Sequence, residues 1–453
     1  MTIGFKNIMQ ASESKELYLS EFRRHRSDGA EKNPPWLRQL RESAIESFQE
    51  LGFPTTHDED WKYTNLDSLI SVPFHYGNGA VKSLTAKEVL APALADSECQ
   101  RLVFINGRYF SELSDLRRLP AGVRVESIAA ALSKNDGFLE RHLGRCVRIR
   151  ERAFAALNTA LTKDGALVVV PRNCKLGEPI HLIFVSVANG GAVACHPRNL
   201  LIVEDGAEAQ IVESYIGLGT GNYFVNPVSE LVGGEDAVID HHRLQRESAK
   251  GFHIGTLEAR LNRNCNIAAH AITLGGGLVR NDIHAVLAGE GSECLLNGLY
   301  VLDDRQHVDN STEIEHRSPK ATSLELYKGI LDGSARGIFN GKILVHKDAQ
   351  KTNARQTNKN LLLSADAVVN TKPQLEIYAD DVKCSHGSTI GQLDRDALFY
   401  LRSRGLDREE AESLLSYAFA SEVVGKIKID SLRQKLNDYL LSKFTRNSES
   451  KIP

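Results

Sequence analysis

The stretch SLELYKGIL, residues 323–331, alternates in the manner of a β-strand, with Leu324, Leu326 and Ile330 on one face and Ser323, Glu325 and Tyr327 on the other. The first face is mostly apolar, so it is expected to face the core. Similar short segments lie on both sides of it. They include ALVVV (166–170), IHLIFVSV (180–187), AQIVESYI (209–216), GTLEARL (255–261), NIAAHAITL (266–274), LVRNDIHAVLAG (278–289) and AVVNTKPQLEIY (367–378). Turn signals separate them: EDGAE from Glu204, GGED, LGGG, AGEGSE, LDDR and LDGS. From Ala166 to about Gly391 there is almost no helical periodicity. Roughly fifteen such segments could build two sandwiches, a propeller or a solenoid. No motif recurs every 40 to 50 residues as propeller blades require, and no Cys/Trp pattern marks an immunoglobulin-type sandwich. An irregular β-solenoid fits best, because each turn needs only short strands and tolerates variable corners. The Asn-rich KTNARQTNKNLLL (351–363) is compatible with side-chain amides stacked along the coils.

Helical texture flanks this core, dividing the chain into residues 1–145, mainly helical, 146–391, the β core, and 392–453, helical again. In the first part NPPWLRQLRESAIESFQELGFP reads as a helix capped by Asn33 and closed by Gly52 and Pro54, with Leu37, Leu40, Ala44, Phe48 and Leu51 on one face. LVFINGRYF is a strand broken by an Asn-Gly turn. FAALNTALTKDG places Phe154, Leu157 and Leu161 on one helix face, with Asp164-Gly165 as its stop. After Gly391, LDRDALFYLRSRG ends at Gly405. Asp407 and Glu410 form a capping box before a stripe of Ala411, Leu414, Leu415, Ala418 and Phe419, and DSLRQKLNDYLLSKF is a last amphipathic helix. The apolar faces of these terminal helices either pack on the chain itself or dock a partner.

The 453 residues are 42% apolar and 25% charged, a globular composition. Lys plus Arg is 55 against 58 for Asp plus Glu, a net charge of −3 with no polybasic run, which argues against nucleic acid as a partner. The most apolar short run, ALVVVP, is far too short for a bilayer, and MTIGFKNIMQASESKEL lacks the apolar core of a signal peptide, so a cytoplasmic protein is expected. The seven cysteines, Cys99, Cys146, Cys174, Cys195, Cys265, Cys294 and Cys384, are widely spaced without a Cys-x-x-Cys pair, which excludes a disulfide framework and a self-contained cluster motif. The first six read as small buried hydrophobes. RGIFNGKIL fails as a phosphate loop, since Gly337 and Gly341 are too close and Ile343 stands where a Ser/Thr is needed. His241 and His242 point to opposite faces of a strand. Both, with His270, His284 and His346, read as structural.

The remaining chemical signal is VKCSHG (382–387). In a strand Cys384 and His386 share a face about 6.5 to 7 Å apart. Thiolate with imidazole suits Fe, Zn or Cu, but two ligands cannot close a tetrahedral site. A nucleophile–base pair and two packed side chains remain open readings.

The run from Ala335 to Gly405 resembles the core of the SufB/SufD family of iron–sulfur cluster assembly proteins, through AQKTNARQTNKNLLLS and KPQLEIYADDVKCSHGSTIG. FPTTHDEDWKYTNL (53–66) and FAALNTALTKDGALVVVP (154–171) extend the similarity over most of the chain. CSHGST lacks the acidic residue between Cys and His that the SufB branch carries, and DEDWKYT is similar to the SufD branch. The resemblance implies a right-handed parallel β-helix core flanked by N-terminal and C-terminal α-helical regions, and a non-catalytic scaffold. It further implies pairing with SufB through the β-helices and docking of the ATPase SufC on the C-terminal helices. By the same resemblance His386, and less firmly Cys384, would belong to a metal site shared with SufB that holds a transient iron–sulfur cluster, without a permanent cofactor. Since imidazole must be neutral to ligate iron, assembly should weaken at acidic pH. A SufB-like homodimer and an extended structural or binding β-helix are the alternatives.

Overall fold

The computed structural model describes residues 13–24, 33–76, 84–96, 99–117, 119–189 and 191–449. The expected polar start of the chain, residues 1–12, and the end of its polar tail, 450–453, lie outside them. From Ala166 the chain winds as a parallel β-solenoid, laying successive strands alternately into a ten-stranded and an 11-stranded sheet that face each other across a lumen. The eight segments picked out by alternation all lie in strands of these sheets. Neighbouring coils pair in parallel register, over four to six residues where Arg198–Val203 meets Ala166–Val170 and Val228–Gly233, and over ten between Gly251–Leu261 and Leu278–Leu287 or between Thr322–Leu331 and Asn353–Leu362.

Several of the turn signals have one structural cause. Asn173, Gly206, Asp236, Asn264, Gly291, Lys320 and Lys351 all adopt positive φ between 54° and 71°. They stack as a column along one corner, where each backbone N–H donates to a carbonyl of the next coil, from Asn173 to Asp205, Gly206 to Glu235, and so on to Lys351 and Asp381. Left-handed backbone suits Gly, Asn and Asp, which is why these residues punctuate the strands.

The lumen is apolar along much of its length, with Val168, Leu201, Leu231, Leu257, Ile283, Ile314 and Ile343 buried in one cluster. Polar side chains are threaded through it. Glu213 accepts from Tyr215 and Ser229 at 2.6 and 2.9 Å and meets His241 Nε2 at 2.9 Å. The expected orientation of SLELYKGIL is inverted: Ser323, Glu325 and Tyr327 are buried in the lumen, while Leu324 is exposed and Leu326 half-buried on the outer face. Its outer face is covered by the C-terminal helices at Lys328 and Ile330 and open at Leu324, so polarity alone does not tell which face is inner. The Asn-rich strand Asn353–Leu362 likewise sends Gln356, Asn358 and Asn360 inward. They do not form an amide ladder between coils. Gln356 donates to Glu325 at 2.7 Å, Asn358 to the Tyr327 carbonyl at 3.3 Å, and Asn360 accepts from the Tyr300 hydroxyl. The Tyr327 ring lies flat over Gly298 of the preceding coil, where a Cβ would stand 2.1 Å from the ring.

The N-terminal part holds helices and also contributes strands. Gln100–Ile105 joins the ten-stranded sheet and turns back at Asn106-Gly107, both at positive φ, into Arg108–Tyr109. Arg124–Ser127 closes the other sheet. The helix Pro35–Leu51 buries Leu37, Ala44 and Phe48. Its N-cap is Pro34 without a side-chain cap, not Asn33, because Pro35 already fits the first turn. The helix Ala153–Leu161 is buried all round and ends at Thr162, before Asp164-Gly165. The segment 53–66 docks on the solenoid: Trp61 stacks 4.0 Å from the Arg280 guanidinium, and Thr64 donates to Asp309, which also accepts from Arg280.

Asp407 and Glu410 form the expected capping box of the helix Arg408–Val424. Its buried face is Ala411, Ser416, Ala420, Val423 and Val424, displaced from the expected stripe, of which only Ala411 is fully buried and Leu414 is exposed. This helix and Asp430–Glu449 lie across the outer face of the ten-stranded sheet. Val423, Ile427, Leu436 and Leu440 pack there on Val212, Leu244, Ile272 and Leu299. Of the two readings open for these faces, packing on the chain itself accounts for most of them. No helix among the described residues is long and apolar enough to cross a membrane.

Candidate functional site at the open end of the solenoid

Among the described residues the solenoid ends without a cap. Its last two strands, Val368–Ile377 and Lys383–Gly391, each pair on one side only, with Arg336–Val345 and Asn353–Leu362. Cys384 stands in register with Ala354 and His386 with Gln356, two lumen residues that are each 1% exposed. Cys384 and His386 therefore occupy lumen-side positions of a coil that has no successor. Cys384 is half-buried against the core and His386 is exposed. Gly387 and Gly391 beside them face open space. Across the mouth the Ser388 hydroxyl donates to Thr371 Oγ1 at 3.0 Å, tying the two edge strands. Ile377, Tyr378 and Ile390 form an exposed apolar rim. Such a mouth presents unpaired backbone groups and apolar side chains together, the features of a surface that another chain completes.

Burial raises the Cys384 thiol, partly offset by a hydrogen bond with the Ala354 backbone, so it stays protonated at neutral pH until a metal or a base displaces the proton. Beneath His386 lies Gln356, and beneath that Glu325, whose carboxyl burial pushes up to about 7 against hydrogen bonds from Thr312 and Gln356. The pair at the mouth can offer one nitrogen and one sulfur to a soft or borderline metal. Completing a tetrahedral set needs ligands from outside the chain.

The other expectations are placed as follows. RGIFNGKIL lies in the strand Arg336–Val345 with Gly337 and Gly341 in the lumen, so it cradles no phosphate. His241 points inward to Glu213 and His242 outward, as alternation requires. His284 and His346 both reach Glu315, at 3.4 and 2.6 Å, in ion pairs that tie coils together. Cys195, Cys265 and Cys294 are buried, whereas Cys99, Cys146 and Cys174 are only half-buried. One constellation was missed. His270 lies beside His242 in the next strand, and with Asp240 the two histidines form a buried group whose ligand atoms lie within 4.8 Å of one another, so it could bind a metal. Its members are one coil apart, a distance that sequence shows only to a reader who already knows the coil length.

A family model described as the SufBD core domain of the SUF system for FeS cluster assembly matches residues 184–419, and one described as the SufBD protein N-terminal region matches residues 12–182. The chain belongs to the SufBD family. It is thereby a member of the SUF iron–sulfur cluster assembly system. An iron-sulfur cluster assembly SufBD family protein of Synechocystis sp. is 37% identical over 87% of this chain and 88% of its own length. The iron-sulfur cluster assembly protein SufD of Escherichia coli is 33% identical over 85% and 88%, and that of Bacillus subtilis 27% identical over 89% and 93%. The core match extends past the last strand into the helix Arg408–Val424, as far as residue 419.

Proposed function

We propose that the chain acts as a SufD-type scaffold subunit whose open end is completed by a SufB-type partner, with His386 donating a ligand to a nascent iron–sulfur cluster at the junction. The observation that supports this reading is the position of His386, on an uncapped edge strand, on the lumen side and exposed. Cys384 lies on the same face and supplies a second ligand or shields the first. The cluster is cargo, assembled and passed on, so two protein ligands from this chain suffice when the partner contributes the rest. The helical region 392–453 is the docking site for a SufC-type ATPase. The helix Arg395–Ser403 supports this, since Phe399 and Tyr400 stay 75% and 56% exposed although the neighbouring helices bury their apolar faces. A chain without a phosphate loop leaves nucleotide hydrolysis to that partner, and the expected location is the cytoplasm, as a heterocomplex.

The test is His386→Ala, expressed in cells that depend on this system. The complex with both partners should purify intact, while cluster content falls to background. Wild-type cluster content in that variant refutes the ligand role.

A further inference from the structure

Asp240, His242 and His270 lie far from the open end, on the outer face of the ten-stranded sheet. Asp240 and His242 alternate onto that face of Val238–Arg246, and His270 stands directly beside His242 in Asn266–Thr273. The three are 5%, 0% and 2% exposed, covered by the C-terminal helices. Asp240 Oδ2 is 3.2 Å from His242 Nε2, and Asp240 Oδ1 is 3.4 Å from His270 Nε2. Neither contact is a hydrogen bond, and both carboxylate oxygens and all four ring nitrogens are left without a partner. Buried polar atoms without hydrogen bonds are costly, and a cation would satisfy several of these at once.

We infer that Asp240, His242 and His270 form a binding site for a first-row divalent cation, a two-histidine, one-carboxylate set that pins two neighbouring coils beneath the C-terminal helices. The geometry suits such an ion. Ligands about 2.0–2.1 Å from a tetrahedral metal lie about 3.3 Å from each other; each imidazole already stands near that distance from one carboxylate oxygen, a different one for each, and a single ligand atom from each of the three lies within 4.8 Å of the others, so a small turn of the carboxylate gathers them on one ion. The imidazole rings are stacked, 4.7 Å between centroids and 10° from parallel, so one must tilt for the third edge to close. The donor set of two imidazoles and a carboxylate is the one used for Fe(II) and Zn. Ala268 stands in register with Asp240, and a cleft lined by Ala268, His270, Asn297, Glu422, Lys426 and Lys428 reaches His270 from solvent.

The full chain, stripped with a chelator, is titrated with Co(II) and followed by visible absorption, with Zn(II) content measured after gel filtration. One equivalent of each metal is expected, with a cobalt spectrum free of a sulfur charge-transfer band. The variant C384S/H386A should keep that equivalent, and D240N and H270N should bind at least tenfold more weakly. If D240N fails to fold, H242N takes its place. Absence of stoichiometric binding in the wild type, a sulfur-to-cobalt band that persists in C384S/H386A, loss of binding in C384S/H386A, or wild-type affinity in D240N would each overturn the assignment. Because the site lies away from the mouth, its failure leaves the role of His386 untouched, and the reverse also holds.

Discussion

Glu325→Gln isolates the effect of a carboxyl sealed in the lumen two coils below the mouth. The side chain is 3% exposed, and its pKa rises from 4.5 to about 7 because burial penalises the charged form more than Thr312 and Gln356 favour it. The folded state therefore holds a proton that the unfolded chain releases at lower pH. The stabilising effect of that proton is fully present below about 4.5 and is lost as pH rises towards 7. Each tenfold difference in proton affinity is worth about 1.4 kcal/mol. Between pH 5 and pH 8 the wild type should then lose about 2.5 kcal/mol relative to a chain with no titrating group at this position. Glutamine is such a group: it has nearly the same volume and can still accept from Gln356. Urea unfolding of wild type and Glu325→Gln at several pH values gives the difference directly, since every other titrating group cancels. The variant should be close to the wild type at pH 5 and more stable by about 2.5 kcal/mol more at pH 8. Two parallel pH profiles would refute the reasoning and mean that the Glu325 carboxyl meets solvent or a cation.

Gly298→Ala should destabilise the chain by about 1–3 kcal/mol in the same assay, because the new methyl group collides with the Tyr327 ring and the packed lumen has no room to yield. Phe399→Asp should leave the melting temperature of the isolated chain unchanged, the side chain being 75% exposed, yet abolish retention of a SufC-type ATPase in a pull-down. Retention at wild-type level would place the ATPase elsewhere. This substitution is a cleaner probe than removing everything after Gly391, which would uncover the Val212, Leu244, Ile272 and Leu299 surface now buried under the helices.

Much of this architecture was legible in the chain because strand alternation and corner chemistry are local. GGED and AGEGSE mark corners since Asp236 and Gly291 take left-handed backbone there, and Asp407 with Glu410 announces a helix wherever it packs. No fixed repeat was legible, for a physical reason. The offset between paired residues runs from 26, Phe252 to Leu278, to 33, Leu167 to Leu200, because corners vary while strands stay in register. Without a period, contacts between coils cannot be counted off, so the Asp240, His242 and His270 group stayed hidden, as did the grip of Arg280 on Trp61. The face of SLELYKGIL was misread because helices cover much of its outside while Glu325 finds partners inside. At the mouth, the sequence showed that Cys384 and His386 share a face. Their exposure depends on where the winding stops, which only the ladder of coils reveals.

The central claim is that a second chain completes the last coil at His386. Hydrogen exchange of backbone amides, measured on this chain alone and bound to a SufB-type partner, tests it most directly. Amides in Val368–Ile377 and Lys383–Gly391 should become strongly protected on binding, while those in Val238–Arg246, already inside the sheet, should not change. A bound partner that leaves exchange in Lys383–Gly391 unaltered would contradict the account.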